Sequence, residues 1–188
     1  MPMNGSAEAG LARIFVGLKV AANIANDLAE LVAKLMGSRG RLIAPADIHL
    51  TFVAPWREAS IDQATEKLRR AACGFSPFPL KFEHVSYGPT RRRPSFLWVN
   101  CTPTTDLTRL RDALMSTFGR TDARPFRPHI TLARILEADW AFARRHPIDI
   151  DLSSVQCVRT IELFKSPAPG EKGYQVLASI ELASQKCM

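Results

Sequence analysis

Residues 47–53, DIHLTFV, set a histidine and a threonine two positions apart in a short apolar run, and residues 128–134, PHITLAR, repeat the pair. In a strand, positions i and i+2 share a face. His49 and Thr51 therefore point one way and Ile48, Leu50 and Phe52 the other, just as His129 and Thr131 oppose Ile130 and Leu132. Each run reads as a strand that gives its aliphatic side to a core and shows an imidazole and a hydroxyl on the opposite side. A lone histidine on a strand is most often structural or merely exposed; two copies of one pair in matched settings ask for a shared purpose.

Around these runs the other elements fall into a repeated order. RIFVGLKV (13–20) reads as a strand, followed by the helical stripe Ile24, Leu28, Leu31 and Leu35, which Gly37 and Gly40 end. After DIHLTFV comes a helix in SIDQATEKLRRAAC (60–73), with Ser60 and Gln63 in capping-box spacing, and then a strand, LKFEHVSY (80–87). Past the basic loop GPTRRRP (88–94) the order recurs. It runs through the strand SFLWVNC (95–101), a helix with Leu107, Leu110, Leu114 and Phe118 on one face, and PHITLAR. A weaker helical stretch at 137–145 and two strands, VQCVRTIELF (155–164) and YQVLASIEL (174–182), follow. The expected fold class is α+β and bilobal: two pseudo-symmetric lobes, roughly 13–88 and 94–182, each an antiparallel sheet flanked by helices, with the active-site cleft between them. Residues 1–188 read as a single bilobal domain, the first dozen as a loose tail.

Composition agrees with an ordinary globular protein: 188 residues, 46% hydrophobic and 23% charged. No window reaches the roughly 18 apolar residues of a membrane span, and the start MPMNGSAEAGLAR lacks the basic and apolar regions of a secretory leader. Cys73, Cys101, Cys157 and Cys187 are 28, 56 and 30 residues apart. That spacing predicts reduced thiols in a cytoplasmic chain, and neither a zinc ribbon nor a disulfide scaffold. The net charge is +7, and 18 of the 25 basic residues are Arg. Guanidinium suits phosphate oxygens and stacks on bases, so a nucleic-acid or nucleotide partner is favoured, although solubility alone would account for the surplus equally well.

Two polar faces of this kind, brought together, would hold two imidazoles and two hydroxyls. Imidazole titrates near ~6.5, so a pair can hold one protonated and one neutral ring, as concerted acid and base catalysis requires. The threonine hydroxyls would hold non-bridging oxygens during displacement at phosphorus. Asp47 precedes His49 by two residues and favours the imidazolium, whereas Arg127, in the same place before His129, favours the neutral ring. His49 is thus expected as proton donor and His129 as acceptor. His84 and His146 lack such partners and read as structural and loop residues. No metal and no cofactor are expected, because the histidines lack ligand spacing and the cysteines are dispersed. Arg91 to Arg93 read as a solvated loop or as a contact to an RNA backbone.

HLTF (49–52) and HITL (129–132) resemble the two signature motifs of the two-histidine (2H) phosphoesterase superfamily, most closely those of the RNA 2',3'-cyclic phosphodiesterases, also called 2'-5' RNA ligases. The likeness continues in RIFVGL, PSFLWV, PFRPHITLAR and ELFKSPAPGEKGYQVL. It implies a bilobal α+β fold with a central cleft, and opening of a 2',3'-cyclic phosphate at an RNA 3' end to leave a 2'-phosphate. It also implies His49 as donor, His129 as acceptor, Thr51 and Thr131 as phosphate holders and Arg134 as a further phosphate ligand. Strand parity turns Arg134 away, five residues from His129, unless the strand bends. Where the family reads like RFLG, this chain has VAPW (53–56), which would set Pro55 and Trp56 on the lip of the cleft. Arg127, Phe15 and Trp56 are the remaining candidates for substrate binding, the two aromatics by stacking on a base, though core packing is their commoner fate. Small cyclic nucleotides, 2'-5' linked oligonucleotides, 2'-5' RNA ligation and a non-catalytic RNA-end-binding module stay open as alternatives. The expected partner is RNA bearing a 2',3'-cyclic phosphate or a related nucleotide; the chain is expected to be a monomer with no membrane association.

Overall fold

The computed structural model describes residues 11–182. Its elements are β1 (Ala12–Lys19), α1 (Ala22–Met36), β2 (Arg41–Leu42), β3 (His49–Glu58), α2 (Ile61–Ala72), β4 (Phe78–Pro89) and β5 (Pro94–Cys101). They continue with α3 (Thr105–Thr117), β6 (His129–Arg134), α4 (Trp140–Arg145), β7 (Asp149–Asp151), β8 (Val155–Val158), β9 (Thr160–Lys165) and β10 (Gln175–Glu181). The α+β class expected from the sequence is what the chain adopts.

Among the described residues all strand pairs are antiparallel, in the order β10-β9-β1-β3-β6-β5-β4-β7, with β2 beside β6 and β8 beside β4. The halves meet where β3 and β6 pair Leu50 with Ile130. Strand, helix and His-x-Thr strand occur twice, as β1-α1-β3 and β5-α3-β6. The strands flanking these units depart from the expected boundary. β4 was expected with the first lobe, yet it pairs with β5, β7 and β8. A short turn keeps successive antiparallel strands adjacent, and that holds β4 to β5. In exchange β9 and β10 extend the half that begins with β1. The expected single strand 155–164 breaks at Arg159, its first part running beside β4 and its second beside β1. The lobes are therefore interleaved along the chain.

Helices cover the aliphatic sides of the sheet. In α1 the buried positions are Ala25, Leu28, Val32 and Met36, one step round from the expected stripe, and Ile24, Leu31 and Leu35 flank them half-buried. Gly37, at φ 56°, ends the helix in a conformation that suits glycine. Ser60 caps α2 by accepting from the Gln63 amide at 3.3 Å, as its spacing predicted. Ile14, Val16, Leu18, Leu50, Ile130 and Leu132 are all buried in one core that spans both halves.

Two expectations about the termini and cysteines change. Ala12 already belongs to β1, and residues 1–10 lie outside the described part. Cys73 is disulfide-bonded, which corrects the expectation of four reduced thiols, while Cys101 and Cys157 are free and Cys187 lies outside the described residues. Burial and the Glu83 carboxylate push the Cys101 thiol up to about 12, so it is an inert core group. No helix among the described residues is long and apolar enough to cross a membrane.

Candidate active site

The Leu50–Ile130 pair fixes the relation of the two motifs. In an antiparallel ladder that register sets His49 across from Thr131 and Thr51 across from His129, with all four side chains on one face. The four are half-buried, whereas Leu50, Ile130 and Leu132 are buried on the other side. A cavity of about 300 Å³ takes in His49, Thr51, Thr131, Arg134, Arg13 and Tyr174. A larger one of about 660 Å³ takes in His129, Trp98, Phe126 and Arg127, and the two share Thr51 and Pro55. They form one cleft with a histidine in each arm.

Both rings are held alike. The Nδ1–H of His49 donates to the Asp47 carbonyl at 2.7 Å, and that of His129 to the Arg127 carbonyl at 2.8 Å. A carbonyl can only accept, so Nδ1 carries the proton and Nε2 is left for chemistry. Burial holds His49 below the ordinary value of 6.5, partly opposed by the carbonyl and the charge of Asp47 and reinforced by the charge of His129. Burial likewise lowers His129, and the Arg127 carbonyl opposes it.

These contacts revise the reading of Asp47 and Arg127. Residues 45–47 form a 3₁₀ turn, so Asp47 is not on the strand; its carboxylate accepts from the Tyr174 amide at 2.9 Å. Its charge does favour the His49 imidazolium, but burial outweighs it. Arg127 acts on His129 through its carbonyl, which raises the ring rather than lowering it, and its side chain lines the larger arm.

Arg134 faces the same side as the motif residues after all. β5 pairs Trp98 with Thr131 and Leu97 with Ala133, so Leu132 is an extra residue on β6. This bulge resets the alternation and turns Arg134 into the arm that holds His49.

Phe15 lines the His49 arm, but neither aromatic candidate is open enough to stack on a base. Phe15 is 1% exposed, stacked on Phe164 at 4.8 Å and packed against His49 at 4.9 Å; it is the floor beneath that ring. Trp56 pairs across β1 with Ile14, on the core side. There it packs on Phe118 at 4.9 Å and donates to Glu58 at 3.0 Å, while Pro55 does line the cleft.

Three supporting side chains escaped sequence reasoning. Tyr174 stands edge-on to His49 at 4.9 Å, and Trp98 packs on His129 at 4.4 Å. Arg13, donating to Ser166 at 3.1 Å, lines the His49 arm. The GEKGYQVL stretch held Tyr174 in view without assigning it, and Trp98 and Arg13 become visible only once strands are paired. Among the described residues no group of three His, Cys, Asp or Glu side chains could hold a metal ion.

Residues 20–159 match the model of the 2'-5' RNA ligase superfamily. The chain belongs to this superfamily. It is 26% identical over 164 residues to the RNA 2',3'-cyclic phosphodiesterase of Bacillus subtilis (strain 168), covering 81% of this chain and 90% of that protein. The fold is shared with TT0787 of Thermus thermophilus at a TM-score of 0.75 and 22% identity, over 90% of this chain and 97% of that one. It is shared also with E. coli LigT complexed with 3'-AMP, at a TM-score of 0.74 and 24% identity, over 92% and 98%. This chain is a 2H phosphoesterase of that superfamily, and its paired His-x-Thr strands line the cleft between its halves.

Proposed function

We propose that this protein hydrolyses the 2',3'-cyclic phosphodiester at an RNA 3' end to a 2'-phosphomonoester, with His49 as acid and His129 as base. The observation that carries the reading is the antiparallel register of the two motifs, which aims two Nε2 atoms and two hydroxyls at one cleft. Water attacks phosphorus and gives its proton to Nε2 of His129. The P–O3' bond breaks, the P–O2' bond stays, and the Nε2–H of His49 protonates the departing O3'. Thr51, Thr131 and Arg134 hold the non-bridging oxygens as charge grows on them. The similarity to a B. subtilis protein named for this reaction, and to LigT crystallised with 3'-AMP, supports the choice of a nucleotide substrate.

The test is an oligonucleotide ending in a 2',3'-cyclic phosphate, incubated with the protein in EDTA. Ring opening to a 2'-phosphate supports the reading, and an intact ring after long incubation would sink it.

A second reading, 2'-5' joining, is favoured by the size and charge of the His129 arm, lined by Arg111, Arg120, Arg124 and Arg127, well beyond the needs of a water molecule. A 5'-hydroxyl bound there would replace water, lose its proton to His129 and give a 2'-5' phosphodiester. Adding a 5'-hydroxyl oligonucleotide and finding only hydrolysis at every concentration would remove this reading.

A further inference from the structure

The polar face of the site continues past β6. Trp98 and Asn100 on β5 are the cross-strand partners of Thr131 and His129, and Ser86 and His84 on β4 are the partners of Trp98 and Asn100. Directly paired residues project from the same face of a sheet, so these rows form one surface running from the cleft to β4. At its far side, two strand spacings or roughly 10 Å from β6, lies a separate cavity of about 420 Å³ lined by His84, Ser86, Arg91, Arg92, Arg144 and Asp149 among others. It shares no lining residue with either arm of the cleft.

The chemistry of this cavity suits an anion. Three guanidinium groups face one carboxylate, Asp149, leaving positive charge in surplus. Among the described residues Arg91, Arg92 and Arg144 make no ion pair, and Arg144 donates to the Arg92 carbonyl at 3.2 Å, tying α4 to the turn 90–93. Asn100 donates to Ser86 at 2.9 Å and lies 3.1 Å from Nε2 of His84. The amide thereby occupies the acceptor nitrogen of the ring and leaves its Nδ1–H and the Ser86 hydroxyl proton as donors.

Between the cavity and the cleft lies an aromatic step. Phe96 and Trp98 are half-buried, with nearly parallel rings 6.5 Å apart, and Arg134 stands over Phe96 at 5.7 Å. Arginines alternating with partly open rings are how single-stranded nucleic acid is held without base readout.

We propose that the RNA behind the cyclic end runs across β5, over Phe96 and Trp98, and places an internal phosphodiester in the cavity of Arg91, Arg92 and Arg144. This deepens the proposed function and rests on it for the identity of the chain. The cavity makes the enzyme prefer RNA ends to cyclic mononucleotides.

The test compares a 2',3'-cyclic mononucleotide with an octanucleotide ending in the same group, using wild type, a triple Ala variant (Arg91→Ala, Arg92→Ala, Arg144→Ala) and the corresponding triple Lys variant. The Ala variant is expected to lose about tenfold in kcat/KM on the octanucleotide, and its salt slope should fall by about 0.7, the figure for one neutralised phosphate of a single strand. Its turnover of the mononucleotide should match wild type, and the Lys variant should recover most of the salt slope. Unchanged length preference and salt slope in the Ala variant would overturn the proposal, and that is also the result if the cavity takes only free inorganic phosphate. Should wild type turn over neither substrate, the hydrolytic reading fails; fluorescence anisotropy with an octanucleotide ending in a plain 3'-phosphate then still reads the cavity, equal affinity in wild type and Ala variant overturning it.

Discussion

Each motif histidine gives its Nδ1–H to a carbonyl two residues earlier, Asp47 for His49 and Arg127 for His129, so removing either ring leaves the other intact. Replacing His49 or His129 by Ala should lower kcat by at least about 10²-fold on a cyclic-phosphate RNA, read by product release. Thr131→Val, which keeps the shape and deletes one donor, should lower kcat by about 10²-fold. Both rings titrate below 6.5 because of burial. The acid limb requires His129 deprotonated and the basic limb His49 protonated, so kcat/KM should follow a bell whose descending limb begins below 6.5. A plateau extending to pH 8 would contradict this. The four motif residues were legible because strand parity is local. Arg134 was not, since its direction depends on Leu132 being an extra residue on β6, and only the pairing with β5 reveals that. Asp47 was half legible: its charge does favour the His49 imidazolium, but a proline at 45 starts a 3₁₀ turn that takes it off the strand.

At the level of elements, two glycines govern how the motif strands sit. A Cβ on Gly17 would come within 2.5 Å of the Leu50 carbonyl, the backbone between His49 and Thr51. Gly17→Ala should therefore cost about 1–3 kcal/mol in denaturant unfolding and shift the motif enough to cost up to about 10²-fold in kcat. A Cβ on Gly88 would collide with the Trp98 ring, and Trp98 supports His129. Gly88→Ala should change tryptophan fluorescence and lower kcat, while leaving the His49 resonance in place. Most strands and helices were visible in hydrophobic period and end signals, Ser60 and Gly37 among them. The break at Arg159 was not, because VQCVRTIELF carries no proline or glycine to mark it and only its two different partners, β4 and β1, divide it.

For the whole molecule, the duplicated strand-helix-strand order was legible, and the exchange of outer strands was not. Local sequence says which residues form β4, β9 and β10; which half each joins is settled by the turn to β5 and by long-range burial. Stability should record the buried histidines. Their folded pKa values lie below the unfolded value of about 6.5, so the unfolded chain binds protons first and stability is lost as pH falls beneath 6.5. The double variant His49→Gln, His129→Gln should lose less Tm than wild type between pH 7 and pH 5, measured by calorimetry.

The claim that two imidazoles converge on one phosphate is tested most directly by nitrogen-detected NMR of the histidine rings during titration with inorganic phosphate. Nε2 of His49 and of His129 should shift together along one binding curve while the exposed His146 stays behind. Two curves with different midpoints, or a shift at one ring alone, would contradict it.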